Sequence, residues 1–404
     1  MNSTKKLHFV IHLVLVASLC VSLPAQSRTF FVEKDGTGDF KIIQNAVNAA
    51  SSGDTIRIGP GRFNDQTWVT SPGWSDSVRV LVTQQELTLI GSGYPETVIG
   101  PPDPWDPSQG FHKGIVGGDL LGNLILRVQG IWFVNMRDAI YTSYEFEDGS
   151  VLNVSHCTFS WNNISLFLLG TNGTASVSHC NFGGMNDSGG YIAAFGQVGL
   201  SVSECVFWMS HTTYGQTAIS LTRVNNADIF DCEIYEGTSA ISSSQGSPLV
   251  IQNCLFDGQS NTAVYPGDGA NISLEDCIFK NQRRVVRSFS PFNQFSMINC
   301  VVENTSECSF DILDMGSLTV TNCDLAKGEL GTVFVQDNFG CLHSGTLDMT
   351  NNYWGTDNPD SIRAWIHDTE DSDQACYTVN FEPYLSNSTP TEKKSLGGFR
   401  SMFR

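Results

Sequence analysis

Leu152-Asn153-Val154-Ser155-His156-Cys157-Thr158-Phe159 and Leu200-Ser201-Val202-Ser203-Glu204-Cys205-Val206-Phe207 follow one template, and so does Leu249-Val250-Ile251-Gln252-Asn253-Cys254-Leu255-Phe256. Ile272-Ser273-Leu274-Glu275-Asp276-Cys277-Ile278-Phe279 is a fourth copy. The pattern is apolar, any, apolar, any, polar, Cys, any, aromatic. Cys180, Cys232, Cys300 and Cys323 sit in further copies, and consecutive cysteines stand 23, 25, 27, 22, 23, 23 and 23 residues apart. A regular period in the low twenties marks a solenoid, in which no repeat buries its own apolar face without a neighbour. The Leu/Asn consensus of leucine-rich repeats is missing.

Within each copy the apolar residues alternate and then skip a step at the polar position. Two short strands meeting at a bend would turn Val154, Cys157 and Phe159 all inward. A second strand-like run follows in each period, at 166–168, 192–194, 218–221, 285–288 and 333–335. Three short strands per turn predict a parallel β-helix, with outlying copies around Leu126 and Leu347 giving about eleven coils. The polar position reads Gly91, Gly130, His156, His179, Glu204, Asp231, Asn253, Asp276, Asn299, Asn322 and Asn351. Such residues tolerate unusual backbone angles, so this position is expected to be a turn, its histidines and acids included.

The cysteines are expected to be a ladder of buried thiols. No C-x2-C pair suggests zinc, and parallel side chains one rung apart are spaced too widely for a good disulfide. Cys341 and Cys376, outside the ladder, are candidates for a bridge. One phenylalanine per coil contributes roughly 2 kcal/mol by burial.

Around this core the chain is expected to divide into a signal peptide over 1–27, a β-helix domain with both caps over 28–385, and a linker with a short basic tail over 386–404. Lys5 and Lys6 precede an apolar run over 9–21, and Ala25-Gln26-Ser27 offers small residues for cleavage. The run is short for a membrane span and no later stretch is longer. Export to the periplasm, the medium or the cell surface follows. Helical spacing of Ile42, Ile43, Ala46, Val47 and Ala50 predicts a capping helix. The stretch 61–118, rich in Pro and Gly and holding Trp68, Trp74 and Trp105, has poor repeat character and is expected to include a long loop. With 22 basic against 41 acidic residues the formal charge is −19, which argues against nucleic acid as a partner.

Two segments carry a resemblance. Val32-Glu33-Lys34-Asp35-Gly36-Thr37-Gly38-Asp39-Phe40, with Ile43-Gln44-Asn45-Ala46 and Gly59-Pro60-Gly61-Arg62-Phe63, resembles the opening of pectin-lyase-like β-helix proteins, pectin methylesterases above all. Asn351-Asn352-Tyr353-Trp354-Gly355, Pro359-Asp360 with Trp365-Ile366-His367-Asp368, and Val379-Asn380-Phe381-Glu382-Pro383-Tyr384-Leu385 resemble the close of bacterial β-helix repeat proteins, relatives of the copper-associated NosD among them. The resemblance implies a right-handed parallel β-helix over about residues 30–385. It implies no particular activity, because the catalytic motifs of the esterases and polygalacturonases are absent.

Outward residues at equivalent positions of successive coils make the binding surface of a solenoid. Aligning Ile241, Val264, Val286 and Ile312 inward places Ser242, Tyr265, Arg287 and Asp311 outward. Tyr265 suits a sugar ring. Arg287, with Arg283 and Arg284 nearby, suits a uronate carboxylate or proton removal beside it. Tyr265, Arg287, Arg283 and Asp311 are therefore the candidate substrate-binding residues, with no catalytic set recognisable. The leading expectation is a monomeric exported protein that binds or processes an extracellular polysaccharide or cell-surface glycan; a lyase would bring calcium as its cofactor. A non-catalytic adhesive solenoid and a NosD-like accessory protein of periplasmic metal maturation are the alternatives.

Overall fold

The computed structural model describes residues 26–71, 74–103, 112–117, 123–142, 146–184, 190–209, 215–336 and 343–388. The expected leader up to residue 25, Trp105, Cys341 and the tail beyond 388 lie outside these residues. Over the described chain the strands stack as a right-handed parallel solenoid of about 11 turns.

Each coil lays one strand on each of three faces. In one coil Val151–Ser155 lies on the first face, Thr158–Ser160 on the second, and the strand Ile164–Ser178 crosses the third before bending onto the first face of the next coil. Gly190–Ser203, Val286–Ile298 and Phe310–Thr321 make the same continuous passage. Register is kept from coil to coil. On the first face Leu152 pairs with Leu126 and Ala175, and Val154 with Val128 and Val177. On the third, Ile115, Ile140, Leu166, Ile192, Ile219, Ile241, Val264, Val286, Phe310 and Val333 form one inward row. The partner of Val286 is thus Phe310 and not Ile312, which pairs with Ser288.

Val154, Cys157 and Phe159 are all buried, as the template requires. On the second face Phe133, Phe159, Phe182 and Phe207 stack with ring centroids 5.1, 4.9 and 4.6 Å apart and planes within 8°. The eight ladder cysteines are free and buried. Each thiol donates to the carbonyl two residues earlier at 3.1–3.4 Å, so a small apolar group also closes its own polar demand. Burial pushes the Cys157, Cys205, Cys254 and Cys300 thiols well above the ordinary cysteine value. One coil past Cys323 the rung is taken by Asn352, whose amide donates to Val320 O and Met349 O and accepts from Cys323 N. Cys376 is disulfide-bonded, its partner lying outside the described residues.

Ten of the eleven predicted turn positions, from Gly130 at 63° to Asn351 at 60°, have left-handed φ. Gly91 is the exception; a Cβ there would stand 2.3 Å from Gly130 O, so close packing between coils demands the glycine. His156 and His179 are such turn residues, their rings 4.8 Å apart on the outside of the bend.

The caps close both ends. Ile43–Ala49 is a helix that buries Ile43, Ala46 and Val47 over the first coil. At the other end Trp354 is fully buried, and Asn358 caps a short helix, Pro359–Arg363, that packs Ile362 inward. Among its described residues the stretch 61–118 is built largely of strands. It contains Gly61–Phe63, an antiparallel hairpin of Thr67–Ser71 with Trp74–Val82, then Glu86–Gly91, Thr97–Ile99 and His112–Gly117. The hairpin departs from the repeat, which is why periodicity misses it.

Candidate functional site

Alternation on the third face sets a second row between the inward aliphatics. It runs Leu81, Val116, Tyr141, Phe167, Ala193, Ser220, Ser242 and Tyr265, each in register with the next. Arg287 follows on the next coil, then Asp311, Phe334 and His367 in register with one another. Bulky and charged side chains thus gather at the two ends of the row. Its middle, Ala193, Ser220 and Ser242, is a floor of small residues.

At the C-terminal end the four candidate residues come together, but not as four outward side chains. Tyr265 is half-buried, its ring 6.5 Å from that of Phe289. Arg287 is about a third exposed and lies over the Phe289 ring at 4.6 Å. Asp311, expected outward, is 3% exposed. Its carboxylate sits 2.9 Å from the Nε atoms of both Arg284 and Arg287, at angles that make ionic contacts rather than aligned hydrogen bonds. Gln336 Nε2 donates to its other oxygen. Glu307 completes the network: it accepts two bonds from Arg283, at 3.0 and 3.2 Å, and pairs with the buried Arg284. The arginines of this basic cluster therefore have carboxylates from the next coil beside them.

The N-terminal end holds groups that sequence reasoning missed. Asp76 and Lys113 are both buried and 3.8 Å apart, and Lys113 Nζ lies 3.7 Å from the centre of the Tyr141 ring. Asp138, in register with Lys113, is fully buried, and neither carboxylate oxygen has a hydrogen bond among the described residues. Burial pushes its pKa up to about 6, against the opposing pull of Arg137, whose Nε is 3.7 Å away, and of Lys113. Burial raises Asp76 as well, and lowers His112, with help from the charge of Arg79. Ser77 Oγ is 2.6 Å from His112 Nδ1. A run of groups whose charged forms are disfavoured by burial is a property of chemically working sites, and also of buried ion networks. The signal available in sequence was slight: Asp76-Ser77-Val78-Arg79-Val80 reads as an ordinary alternating strand, with nothing to say that the hairpin covers its polar side.

Trp68, on the hairpin, is 70% exposed. Among the described residues no group of three or more His, Cys, Asp or Glu is arranged to hold a metal. No helix of the described residues is long and apolar enough to cross a membrane.

Residues 146–325 match the family model described as the right handed beta helix region. Similar solved structures include the A-module of the mannuronan C-5 epimerase AlgE4 of Azotobacter vinelandii, 12% identical, with a TM-score of 0.45 over 86% of this chain and 95% of that one. Pectate lyase Pel9A is 10% identical, with a TM-score of 0.39 over 90% of this chain and 79% of that one. No curated protein sequence matches. Likeness at this level concerns the path of the backbone and says nothing of side-chain roles.

Proposed function

Because the described chain winds as a right-handed parallel β-helix and residues 146–325 match the right handed beta helix family model, we propose that it is an exported protein whose third face binds an extracellular polysaccharide or cell-surface glycan. The observation that supports this reading is the row itself: a floor of Ala193, Ser220 and Ser242 leads to Tyr265 and Arg287 on successive coils. A chain of sugar rings laid along the helix axis would meet small residues first and then a phenol ring to stack on. The guanidinium beyond it is steadied by Asp311 and Phe289. Its terminal nitrogens make no hydrogen bond to the described residues, which leaves them for a sugar hydroxyl or carboxylate. Asp311 and Arg283 then act as positioning residues. The charge of −19 favours short or sparsely charged glycans over long polyanions, which the acidic surface would repel.

Binding is the broader part of the proposal and processing the narrower. Any acid–base chemistry would draw on Lys113, Tyr141 and their buried neighbour Asp138 at the other end of the row. A glycan array with the leader-free protein tests the binding. Tyr265→Ala and Arg287→Gln should each weaken the best hit about tenfold or more, consistent with loss of one stacking or charged contact. Ser220→Trp should obstruct the floor. Unchanged array patterns for all three variants would remove the third face as the binding surface. Ultraviolet absorbance of unsaturated products from uronate polymers reads the narrower claim separately.

A further inference from the structure

Between the N-terminal helix and the hairpin lies a cavity of about 420 Å³, lined in part by Asn45, Asn48, Asp65, Gln66, Thr67 and Arg79. Arg79 is 4% exposed. Its guanidinium meets only uncharged oxygens: Asn64 O at 3.3 Å, and the Gln66 amide oxygen, in the orientation that satisfies both groups, at 2.6 and 3.2 Å. Its Nε has no hydrogen bond, and no carboxylate lies within ion-pairing distance of it among the described residues. Asp65, the acid in the lining, is engaged by Lys34 at 2.9 Å. Burial drags the Arg79 pKa down to about 10 against the upward pull of the Asp65 charge, although a guanidinium is among the hardest groups to displace.

A buried cation with no anion in ion-pairing contact is costly, and Asp65, held by Lys34, acts on it only from a distance. The cavity offers room for a closer anion. Its volume falls within the range of small-molecule sites and exceeds what a bare inorganic anion needs. Its remaining lining is polar and uncharged at Asn45, Asn48, Gln66 and Thr67, groups that donate to and accept from hydroxyls. We propose that this cavity is a binding site for a small sugar acid, with Arg79 taking the carboxylate and the surrounding amides and the Thr67 hydroxyl taking the sugar hydroxyls. The site is separate from Tyr265 and Arg287. It opens near the head of the third-face row, since Leu81 both lines the cavity and begins the row.

Calorimetric titration of the folded protein with D-glucuronate, D-glucose, acetate and inorganic phosphate tests this. Glucuronate should bind the wild type at least tenfold more tightly than any of the other three. Arg79→Gln should lose that binding. Asn45→Trp, at an exposed helix position, should also lose it by filling the cavity mouth while leaving the arginine in place, and stands in if the arginine variant fails to fold. The Arg287→Gln variant should retain a glucuronate-binding component that adding Arg79→Gln removes, which separates this site from the third-face proposal. Wild-type affinity in both Arg79→Gln and Asn45→Trp would overturn the assignment. So would glucose matching glucuronate, because the charge would then contribute nothing. Acetate or phosphate matching glucuronate would overturn it too, because the hydroxyl contacts would then be idle.

Discussion

Arg284 and Arg79 are both buried guanidiniums at opposite ends of the solenoid, yet Arg284 has Glu307 and Asp311 beside it whereas Arg79 touches only amide oxygens. The difference follows from local architecture. Arg284 belongs to the regular repeat, where the next coil sets its residues one strand spacing away and can supply an acid to match each base. Arg79 lies on the strand that turns back into an antiparallel hairpin, so its outer neighbours come from an insertion and not from the next rung. Regular stacking lets a solenoid neutralise its own charges. Where the repeat is interrupted, Arg79 is left without such a match.

Removing the matching acid should have the largest effect. Asp311→Ala would leave Arg284 with one carboxylate in place of two, and a loss of about 3–5 kcal/mol is expected from urea unfolding. A loss below about 1 kcal/mol would erase the contrast with Arg79. Next comes Asp138→Asn. Because the folded pKa of Asp138, about 6, is above its ordinary value, the fold favours the protonated form. Its contribution is intact below about pH 4, declines as pH rises through 6, and stays low beyond. The variant should therefore be more stable than wild type by up to about 3 kcal/mol at pH 8 and equal to it near pH 3.5, as thermal melts at the two pH values would reveal. Arg79→Met should change stability in ligand-free buffer by less than about 1 kcal/mol, or raise it, since no ion pair is broken. A loss comparable to that of Asp311→Ala would mean that the cavity arginine is structurally matched after all. Smallest is Arg287→Gln, where solvent screens the pair with Asp311; below about 1 kcal/mol is expected in the same urea titration.

The coils were legible because burial leaves a periodic trace: one cysteine and one phenylalanine at fixed steps, with a turn residue before them. The exposure of Asp311 was not. Alternation gives the side on which a residue projects, and a slip of two positions between Phe310 and Ile312 leaves that side unchanged. What covers the residue depends on Arg284 and Arg287 from one coil and Gln336 from another, and alternation within a strand carries no record of them. The same limit hid Asp76, Arg79, Lys113 and Asp138. They stand in strands of ordinary appearance, and only the folding back of 67–82 and the stacking of neighbouring coils put them out of water.

The free thiols of the shaft carry a consequence for how such a chain is made. If the chain is exported as proposed, it meets an oxidising milieu before it is compact, and at that moment eight sulfhydryls are available for wrong partnerships with one another. Winding of the coils is what withdraws them. Recovery from denaturant should therefore improve with a reducing agent at early times, although the finished shaft holds no crosslink for that agent to cut. During biogenesis the helper of greatest value would be one that undoes sulfur–sulfur bonds faster than they lock the coils apart.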